Sequence, residues 1–354
     1  MISPGPQQDL REAFAGALLG TAVGDALGLP AEGMSRQRIQ RRWHGQWRHR
    51  FLFGRGMVSD DTEHTLFVAQ ALLAHPNDPE AFQRCLAWKL RLWLLGIPAG
   101  IGFATLRAIL KLWLGFPPMR SGLHSAGNGP AMRSAIIVAY FFDEPEKRRE
   151  FVDAATFLTH TDQRAVTAAL AVAEAAALAV RKDEPIDDWV TALPRLSRDD
   201  EWRALCCKLS DAFAARISVQ AFAESLGLRN AVTGYAYHSV PVALYASLRH
   251  RGDFRVAMES ALNCGGDTDS VGAIVGALAG TDIGKDTIPF EWLSGICEWP
   301  RSNRTLEQVA ERLARQKGAE RPLGPICYFW PGLIPRNFIF LVAVMLHGFR
   351  RLLP

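Results

Sequence analysis

The sequence lacks several signals that would assign the chain to a specialised class of protein. Its six cysteines are scattered, and none belongs to a C-x-x-C pair, which argues against a zinc or dithiol redox motif. The N-terminal segment MISPGPQQDLREAFAG has no apolar signal-peptide core. We therefore expect reduced thiols and a cytoplasmic protein.

Strong charge and long apolar runs are also lacking. The formal net charge of the 354 residues is only +4, so we expect no direct nucleic-acid footprint. The apolar run 338–346 near the C-terminus is much shorter than the roughly 20 residues of a spanning helix. We expect no membrane partner and a C-terminal helix docked on the body or on another subunit. Arg350 and Arg351 after this run leave an interfacial anchor open.

Helical periodicity is abundant. Segments such as REAFAGALLGTAVGDALG, EHTLFVAQALLA and RAVTAALAVAEAAALAVRK carry apolar residues three and four positions apart. GPAMRSAIIVAYFF and PVALYASLRH continue the pattern, and no series of alternating strand-like segments interrupts it. The pattern predicts one all-α domain of many helices over 10–317. The Pro- and aromatic-rich extension 318–354 is expected to dock on this domain or on a partner.

Two carboxylate clusters stand directly before apolar helical runs. SDDT contains Asp60 and Asp61, and GGDTDS contains Asp267 and Asp269. Helix capping is the simpler interpretation, because Ser, Thr and Asp accept hydrogen bonds from the free N–H groups of a first turn. Capping explains poorly why both clusters hold two aspartates, and four carboxylates are costly to bury together without cations. Oxygen-only ligands of this kind suit Mg²⁺ or Mn²⁺ and do not suit zinc.

Six short segments stand in consistent order between Phe14 and Gly284. They are GALLGTAVGDALGLPAEG, VSDDT, SAGNGPAMR, LTHTD, TGYAYHSVPVALYA and GGDTDSVGAIVGALAG. Together they resemble the ADP-ribosylglycohydrolase family. Any one segment is short enough to arise by chance, whereas six in order make coincidence improbable. The resemblance implies a single compact all-α domain of the ADP-ribosylglycohydrolase type, with a helical tail after it.

The resemblance implies a centre of two Mg²⁺ or Mn²⁺ ions. Both clusters would supply its ligands, with Asp269 as the bridge: Ser59, Asp60, Asp61, Asp267, Asp269 and Ser270. The implied reaction cleaves the bond between the ribosyl C1 and an acceptor, and so releases ADP-ribose from an ADP-ribosylated protein or other acceptor. Asp60 or Asp61 would act as general base, and Glu32 would lie beside the metals on a mobile loop.

Other motifs point to the bound ADP-ribose. In SAGNGPAMR, Gly127 and Gly129 free the backbone so that N–H groups can face a diphosphate. The candidate ligand contacts are Ser125, Gly127, Asn128, Gly129, His160 and Tyr235. A core position is as consistent with Tyr235 as a place in the cleft, and Arg133 suits a phosphate contact or a structural ion pair equally. Gly24, Asp25 and Gly28 are assigned to helix packing and local hydrogen bonding.

Three positions depart from the arginine-directed members of that family. Gly100, Phe103 and His124 stand where a polar or acidic residue is usual, which predicts a less acidic pocket for the leaving acceptor. Two other classes of function stay open at this stage. One is an ADP-ribose-binding regulator without turnover, and the other is an immunity or partner protein that blocks an ADP-ribosylating toxin by contact. The extension 318–354 is the only sequence support for the latter.

Overall fold

The chain folds into helices wherever apolar periodicity is strongest. The computed structural model describes residues 6–182 and 185–352, and this part of the chain has eighteen α-helices and no β-strand. This confirms the predicted all-α class. The helices are α1 (Pro6–Gly28), α2 (Arg36–Trp43), α3 (Asp60–Ala74), α4 (Pro79–Leu95), α5 (Phe103–Trp113), α6 (Gly129–Met132), α7 (Ala135–Tyr140), α8 (Pro145–Phe157), α9 (Gln163–Arg181), α10 (Ile186–Ala192), α11 (Asp200–Ala215), α12 (Val219–Ser225), α13 (Ala236–Arg249), α14 (Phe254–Leu262), α15 (Thr268–Ile283), α16 (Phe290–Gly295), α17 (Asn303–Gln316) and α18 (Leu333–Leu352).

An antiparallel pair, α1 and α15, forms the centre of the fold. Glycines four residues apart on each helix meet backbone to backbone, so that a Cβ at Gly20 would lie 2.0 Å from the carbonyl oxygen of Gly276. At Gly24 the distance to the carbonyl oxygen of Gly272 would be 1.9 Å. Only glycine permits this approach. The pair brings the start of the chain against a segment some 240 residues later, as the Thr268 hydroxyl bonds the Gly28 carbonyl.

Other helices surround this pair in two groups. Helices α3, α7 and α17 pack against α1, while α9, α13 and α14 pack against α15. The Ala-rich α9 is buried over nearly its whole length, as its composition predicts. The N-termini of α3 and α15 lie close together as a result of this packing, and they carry the two aspartate clusters.

Two helical segments differ from the sequence expectation. GPAMRSAIIVAYFF forms two short helices, α6 and α7, instead of one. Arg133 lies at the break, where its buried guanidinium donates to the Ala155 carbonyl and the Thr159 hydroxyl. Helix α13 begins at Ala236, five residues before Pro241, and carries this proline in its interior.

The C-terminal extension docks on the helical domain through α18. The Arg336 guanidinium donates to both carboxylate oxygens of Glu298, and Asn337 Nδ2 donates to the Gly96 carbonyl at 2.7 Å. Phe340 packs against Phe51 with ring centroids 5.0 Å apart. The opposite face of α18 is exposed. The side chains of Arg350 and Arg351 lie outside the described part of the structure.

Three helical segments are long and apolar enough to cross a membrane by length and composition alone. The windows in Asp9–Ala31 and Gln163–Arg181 are wholly or largely buried inside the protein. In Trp330–Phe349, only a third of the window is buried. The first two helices therefore belong to the core, whereas the third presents apolar surface on the outside.

Candidate metal centre and ligand cleft

The N-terminus of α3 is fixed by a buried carboxylate of α1. Asp25 accepts hydrogen bonds from the Ser59 N–H at 2.8 Å and from the Thr62 hydroxyl at 2.6 Å. The Thr62 N–H adds a third bond at 3.2 Å. Asp25 therefore caps α3 from outside, which confirms its assignment to local hydrogen bonding. The aspartates of the SDDT cluster are therefore not needed to cap α3.

The two clusters meet at Asp61. Its Oδ2 accepts hydrogen bonds from the Ser59 hydroxyl at 3.2 Å and from the Ser270 hydroxyl at 3.5 Å. Asp267, at the start of α15, makes no capping bond with its side chain. Its Oδ2 instead accepts a bond of 2.6 Å from Asn128 Nδ2. The structure thus brings together Ser59, Asp61, Asp267 and Ser270, as the sequence predicts for one centre.

Two glycines in the loop before α15 connect this loop to the one that carries Glu32. Gly265 and Gly266 adopt φ of +72° and +86°, a region that favours glycine. A Cβ at Gly266 would lie 1.8 Å from the Val232 carbonyl oxygen. The Gly266 N–H donates to the Met34 carbonyl at 2.8 Å, and the Gly33 N–H donates to the Gly266 carbonyl at 2.7 Å. The loop that carries Glu32 is anchored beside the aspartates in this way.

Burial and mutual repulsion disfavour the charged forms of these carboxylates. Burial, followed by the charge of Asp25, raises the pKa of Asp60 to about 8. The same causes raise the pKa of Asp61 well above its usual range. Burial and the charges of Glu32 and Asp267 do so for Asp269. Without added positive charge, the protein pays a free-energy cost to keep these groups ionised.

The donor set fits a hard divalent cation. Asp61 Oδ1 and Asp269 Oδ1 are buried and accept no hydrogen bond from the described residues, although a buried carboxylate oxygen normally has a partner. Within residues 6–182 and 185–352, no three His, Cys, Asp or Glu side chains converge tightly enough to hold an ion by themselves. Hydroxyls, water or substrate would therefore complete an octahedral shell of the kind that Mg²⁺ requires.

A cleft of about 590 Å³ opens directly above the aspartates. Its walls contain most of the residues predicted for the site: Glu32, Asp60, Asp61, Gly100, Phe103, Ser125, Gly127, Asn128, Gly129, His160, Asp267, Asp269 and Ser270. Thr105 and Val232 also line it and lie outside the six quoted segments. Met132 and Thr233 line it too; they belong to SAGNGPAMR and TGYAYHSVPVALYA but were not among the candidate contacts. The volume lies within the range of small-molecule and cofactor sites.

His160 forms one wall of the cleft. Cβ atoms at Gly127 and Gly129 would each lie 3.2 Å from its ring, so both glycines let the loop approach this ring closely. Burial and the positive charge of Arg133 lower the pKa of His160 to about 3. Its Nδ1 lies 2.9 Å from the Thr159 hydroxyl. A neutral imidazole is thereby presented to the cleft.

The glycine loop differs from the predicted phosphate cradle in two respects. The Asn128 N–H donates to the Gly234 carbonyl at 3.0 Å, and the Asn128 side chain bonds Asp267 and Ser239. Asn128 is therefore a positioning residue for Asp267. Arg133 is buried under the loop and bonds a carbonyl and a hydroxyl. Neither of the two roles considered for Arg133, a phosphate contact or an ion pair, describes this arrangement.

Three predicted residues do not line the cleft. Ser59 lies behind Asp61, to which its hydroxyl donates. The Tyr235 hydroxyl donates to Glu201 at 2.9 Å, and Arg164 lies against its ring. The His124 imidazole is largely exposed and lies 3.5 Å from Asp162, in a neighbouring depression. The assignment of His124 to the acceptor pocket stays a prediction that this cleft does not support.

Comparisons with known proteins point to one family. The family described as ADP-ribosylglycohydrolase matches residues 6–322. The chain is 26% identical over 289 residues to the ADP-ribosyl-[dinitrogen reductase] glycohydrolase of Rhodospirillum rubrum, covering 79% of this chain and 89% of that protein. It is 28% identical over 322 residues to the ADP-ribosylhydrolase ARH3 of Danio rerio, covering 79% and 85%. A solved structure of an ADP-ribosylglycohydrolase-related protein complex superimposes with a TM-score of 0.64, at 28% identity, over 88% of this chain and 99% of that chain.

Proposed function

Because this chain belongs to the ADP-ribosylglycohydrolase family, we propose that it is a metal-dependent hydrolase that releases ADP-ribose from an ADP-ribosylated acceptor. One observation carries the proposal: Asp61 and Asp269 each keep a buried carboxylate oxygen without a partner at the floor of the cleft. The six predicted oxygen ligands would hold two Mg²⁺ or Mn²⁺ ions. Bound there, these ions would supply Lewis acidity toward the ribose hydroxyls and the attacking water.

The remaining roles in the reaction are assigned to side chains of the protein. Both hydroxyls that bond Asp61 Oδ2 fix this carboxylate, so Asp61 suits a ligand better than a base. Asp60 is only half-buried and lines the cleft, and we assign it the role of general base. The C1–acceptor bond would break with its electron pair going to the acceptor atom, while water oxygen bonds C1 and gives its proton to Asp60. The proton that Asp60 accepts then passes to the acceptor atom, so that one water is consumed and Asp60 is ionised again.

Two further residues would act on the substrate side. Glu32 lies at the exposed mouth of the cleft, and its charge is close enough to influence Asp269. We assign it to orienting the ribose. The neutral His160, with Gly127 and Gly129 packed against its ring, provides a wall for the ADP moiety.

A panel of ADP-ribosylated substrates tests this function. Substrates linked through arginine, serine, cysteine, asparagine and a nucleobase would be incubated with the protein and Mg²⁺ or Mn²⁺, and free ADP-ribose would be measured. We expect release that exhaustive EDTA treatment abolishes and that Asp60→Asn reduces strongly. Tight ADP-ribose binding without release from any substrate would favour the regulator. Protection from a toxin without release would favour the immunity protein.

The walls of the cleft also indicate the acceptor. Gly100 and Phe103 line the mouth and bring no carboxylate to a guanidinium, which stays charged and loses water on entry. We therefore propose that arginine-linked ADP-ribose is not the best substrate. Each missing charge-assisted hydrogen bond is worth roughly 1.5–3 kcal/mol, or about tenfold to a hundredfold in specificity.

Adding a carboxylate at Gly102 should shift this preference. Gly100 has a φ of +82°, so an aspartate there would strain the backbone. Gly102 has a φ of −58° and precedes α5 as its cap, with open space at its Cβ. We expect Gly102→Asp to raise kcat/KM for arginine-linked relative to uncharged-linkage substrates about tenfold. Gly102→Asn is the isosteric control and should change the ratio little. A wild type that already prefers arginine strongly would contradict the proposal.

A further inference from the structure

A second cleft, separate from the one over the aspartates, is rich in arginine. Residues 36–55 contain seven arginines and no acidic residue: Arg36, Arg38, Arg41, Arg42, Arg48, Arg50 and Arg55. Four of them, Arg42, Arg48, Arg50 and Arg55, line a depression of about 700 Å³. The net charge of the whole chain is only +4. Positive charge is therefore concentrated on one part of the surface, which a chain-wide sum conceals.

This cleft offers an anion little competition from carboxylates. Glu291 lines it but is ion-paired with Arg255. Among the described residues, no carboxylate lies within ion-pair distance of Arg48, Arg50 or Arg55. Burial and the positive charges of Arg48 and Arg42 lower the pKa of Arg50. The arginines thus repel one another, and a bound anion would relieve this repulsion.

An exposed apolar surface adjoins the arginine cleft. His347 of α18 lines that cleft, and its ring stacks on Phe51. Two residues beyond Phe51, Phe53 is 99% exposed at the tip of a turn. Up to Phe349, the last residue of α18 whose side chain the structure describes, every large side chain on the outer face is apolar: Ile334, Phe338, Ile339, Val342, Met345, Leu346 and Phe349. The polar residues Arg336 and Asn337 are turned inward instead.

We propose that this surface docks the protein on an anionic lipid bilayer. The outer face of α18 and Phe53 would lie in the interface between headgroups and acyl chains, and the arginine cleft would take lipid phosphates. In-plane binding suits the structure better than a spanning helix, because Arg336 and Asn337 are bonded to Glu298 and Gly96. Spanning would carry both side chains into hydrocarbon at high cost.

Two other binding partners would account for less of this surface than an anionic membrane does. A nucleic acid would use the arginines, but it leaves the apolar face of α18 without a partner. A second copy of the chain would cover the apolar face. In a two-fold interface, however, the same patch meets itself, and the arginines beside α18 would be brought toward those of the other copy. An anionic membrane satisfies the charge and the apolar area together.

Vesicle flotation with the full-length protein tests the proposal. We expect the protein to float with vesicles of equal parts phosphatidylcholine and phosphatidylglycerol, and much less with phosphatidylcholine alone. High salt should weaken the binding because it screens the arginines. Arg48→Gln/Arg55→Gln should weaken partitioning about fivefold for each arginine neutralised. Phe338→Glu/Val342→Glu should abolish it, since two charges would enter the interface.

The controls separate docking from a general effect of charge or misfolding. Arg84→Gln/Arg203→Gln removes the same charge from exposed positions on α4 and α11 and should leave flotation unchanged. Circular dichroism and thermal unfolding would verify that each variant folds. The proposal is overturned if wild type does not float with anionic vesicles, or if the control pair weakens flotation as much. It is also overturned by a dimer that Phe338→Glu dissociates, or by a nucleic-acid complex, in the absence of vesicle binding.

Discussion

Asp269 and Asp253 hold comparable places, next to the start of an α-helix, but differ in what surrounds their carboxylates. Asp253 caps α14 by accepting from the Val256 N–H at 3.0 Å. Asp269 Oδ1 is buried without a partner and is surrounded by the charges of other acids. Helix position alone therefore does not decide whether an aspartate is structural. What decides is whether its lone pairs are already occupied.

Asp269→Asn should cost activity and not stability. Removal of a bridging ligand should cost several kcal/mol of transition-state stabilisation, about a thousandfold in kcat. It also removes like-charge repulsion, so the metal-free unfolding temperature should hold or rise. Asp253→Asn is the matched control, and Asp253→Ala should cost about 1 kcal/mol of stability with activity retained. A large loss of metal-free stability in Asp269→Asn would instead favour a capping role.

Raised carboxyl pKa values predict how the stability of the metal-free protein depends on pH. Burial raises the pKa of Asp25 to about 6, and burial with the charge of Asp25 raises that of Asp60 to about 8. A group whose pKa is raised by folding stabilises the folded state below its unfolded pKa, near 4. This contribution is lost as the pH rises through the folded value. Metal-free stability should therefore fall between about pH 4 and pH 8.

Thermal unfolding across this range, with and without Mn²⁺, checks the prediction. The cation binds the ionised carboxylates, so its stabilising effect should grow with pH and oppose the metal-free trend. Asp60→Asn should flatten the metal-free slope between pH 6 and pH 8, because it removes the group that titrates there. A metal-free protein that grows more stable over this interval would show that the aspartates are not held together as described.

At the residue scale, the composition and the order of the sequence motifs predicted which chemical groups form the site. They predicted less well how those groups are arranged. One cleft is lined by the four aspartates, Glu32 and His160. Each of them lies in a motif whose helix or loop directs the side chain toward this cleft. His124 does not line it, since the side to which a loop side chain points depends on backbone torsions that a single sequence does not reveal. The role of Asn128 in holding Asp267 depends on a contact between residues 139 positions apart.

At the scale of elements, the glycines of α1 and α15 determine how closely the two helices pack. Gly20→Ala would place a methyl group 2.0 Å from a backbone oxygen, which no side-chain rotation relieves. We expect a loss of about 3 kcal/mol or more in the free energy of unfolding, from overpacking. Gly348→Ala in α18 is the control, because no atom lies within 4 Å of its Cβ. There, the better helix propensity of alanine should stabilise by up to about 1 kcal/mol. Chemical denaturation compares the two.

The periodicity that predicted the long helices fails where tertiary contacts override it. α6 and α7 read as one helix, but the Arg133 guanidinium, pulled toward Ala155 and Thr159, breaks the segment. Pro241 reads as a first-turn residue and instead lies within α13. Helices such as α2 and α17 are short of apolar residues and rich in charge, so their existence depends on one buried stripe.

At the scale of the whole molecule, the C-terminal extension supports the aspartate centre. Glu298 accepts from the Val58 N–H at 2.8 Å, directly before Ser59, and Arg336 of α18 neutralises this carboxylate. The extension therefore contacts the segment directly before Ser59 through one buried residue, Arg336. An effect of truncation on function need not indicate a partner protein, because the same truncation removes Arg336.

Arg336→Met should leave Glu298 buried without its cation. Breaking such a pair costs about 3–5 kcal/mol, and activity should fall as the segment before Ser59 loosens. Arg91→Met is the control, since Arg91 donates to the Leu112 carbonyl, which lies outside the extension. Unfolding curves and ADP-ribose release would be measured on both variants. Wild-type stability and activity in Arg336→Met would show that the extension is independent of the site.

The pairing of α1 with α15 also affects the protein while it is being synthesised on the ribosome. Helix α1 is 23 residues long and apolar, and its central partner lies about 240 residues later. At 5–20 residues per second, translation takes roughly 12–50 s to reach that partner. Contacts of such sequence separation also form slowly. For that interval α1 presents its glycine-lined surface without its partner helix, and chaperones rather than the protein's own core must cover it.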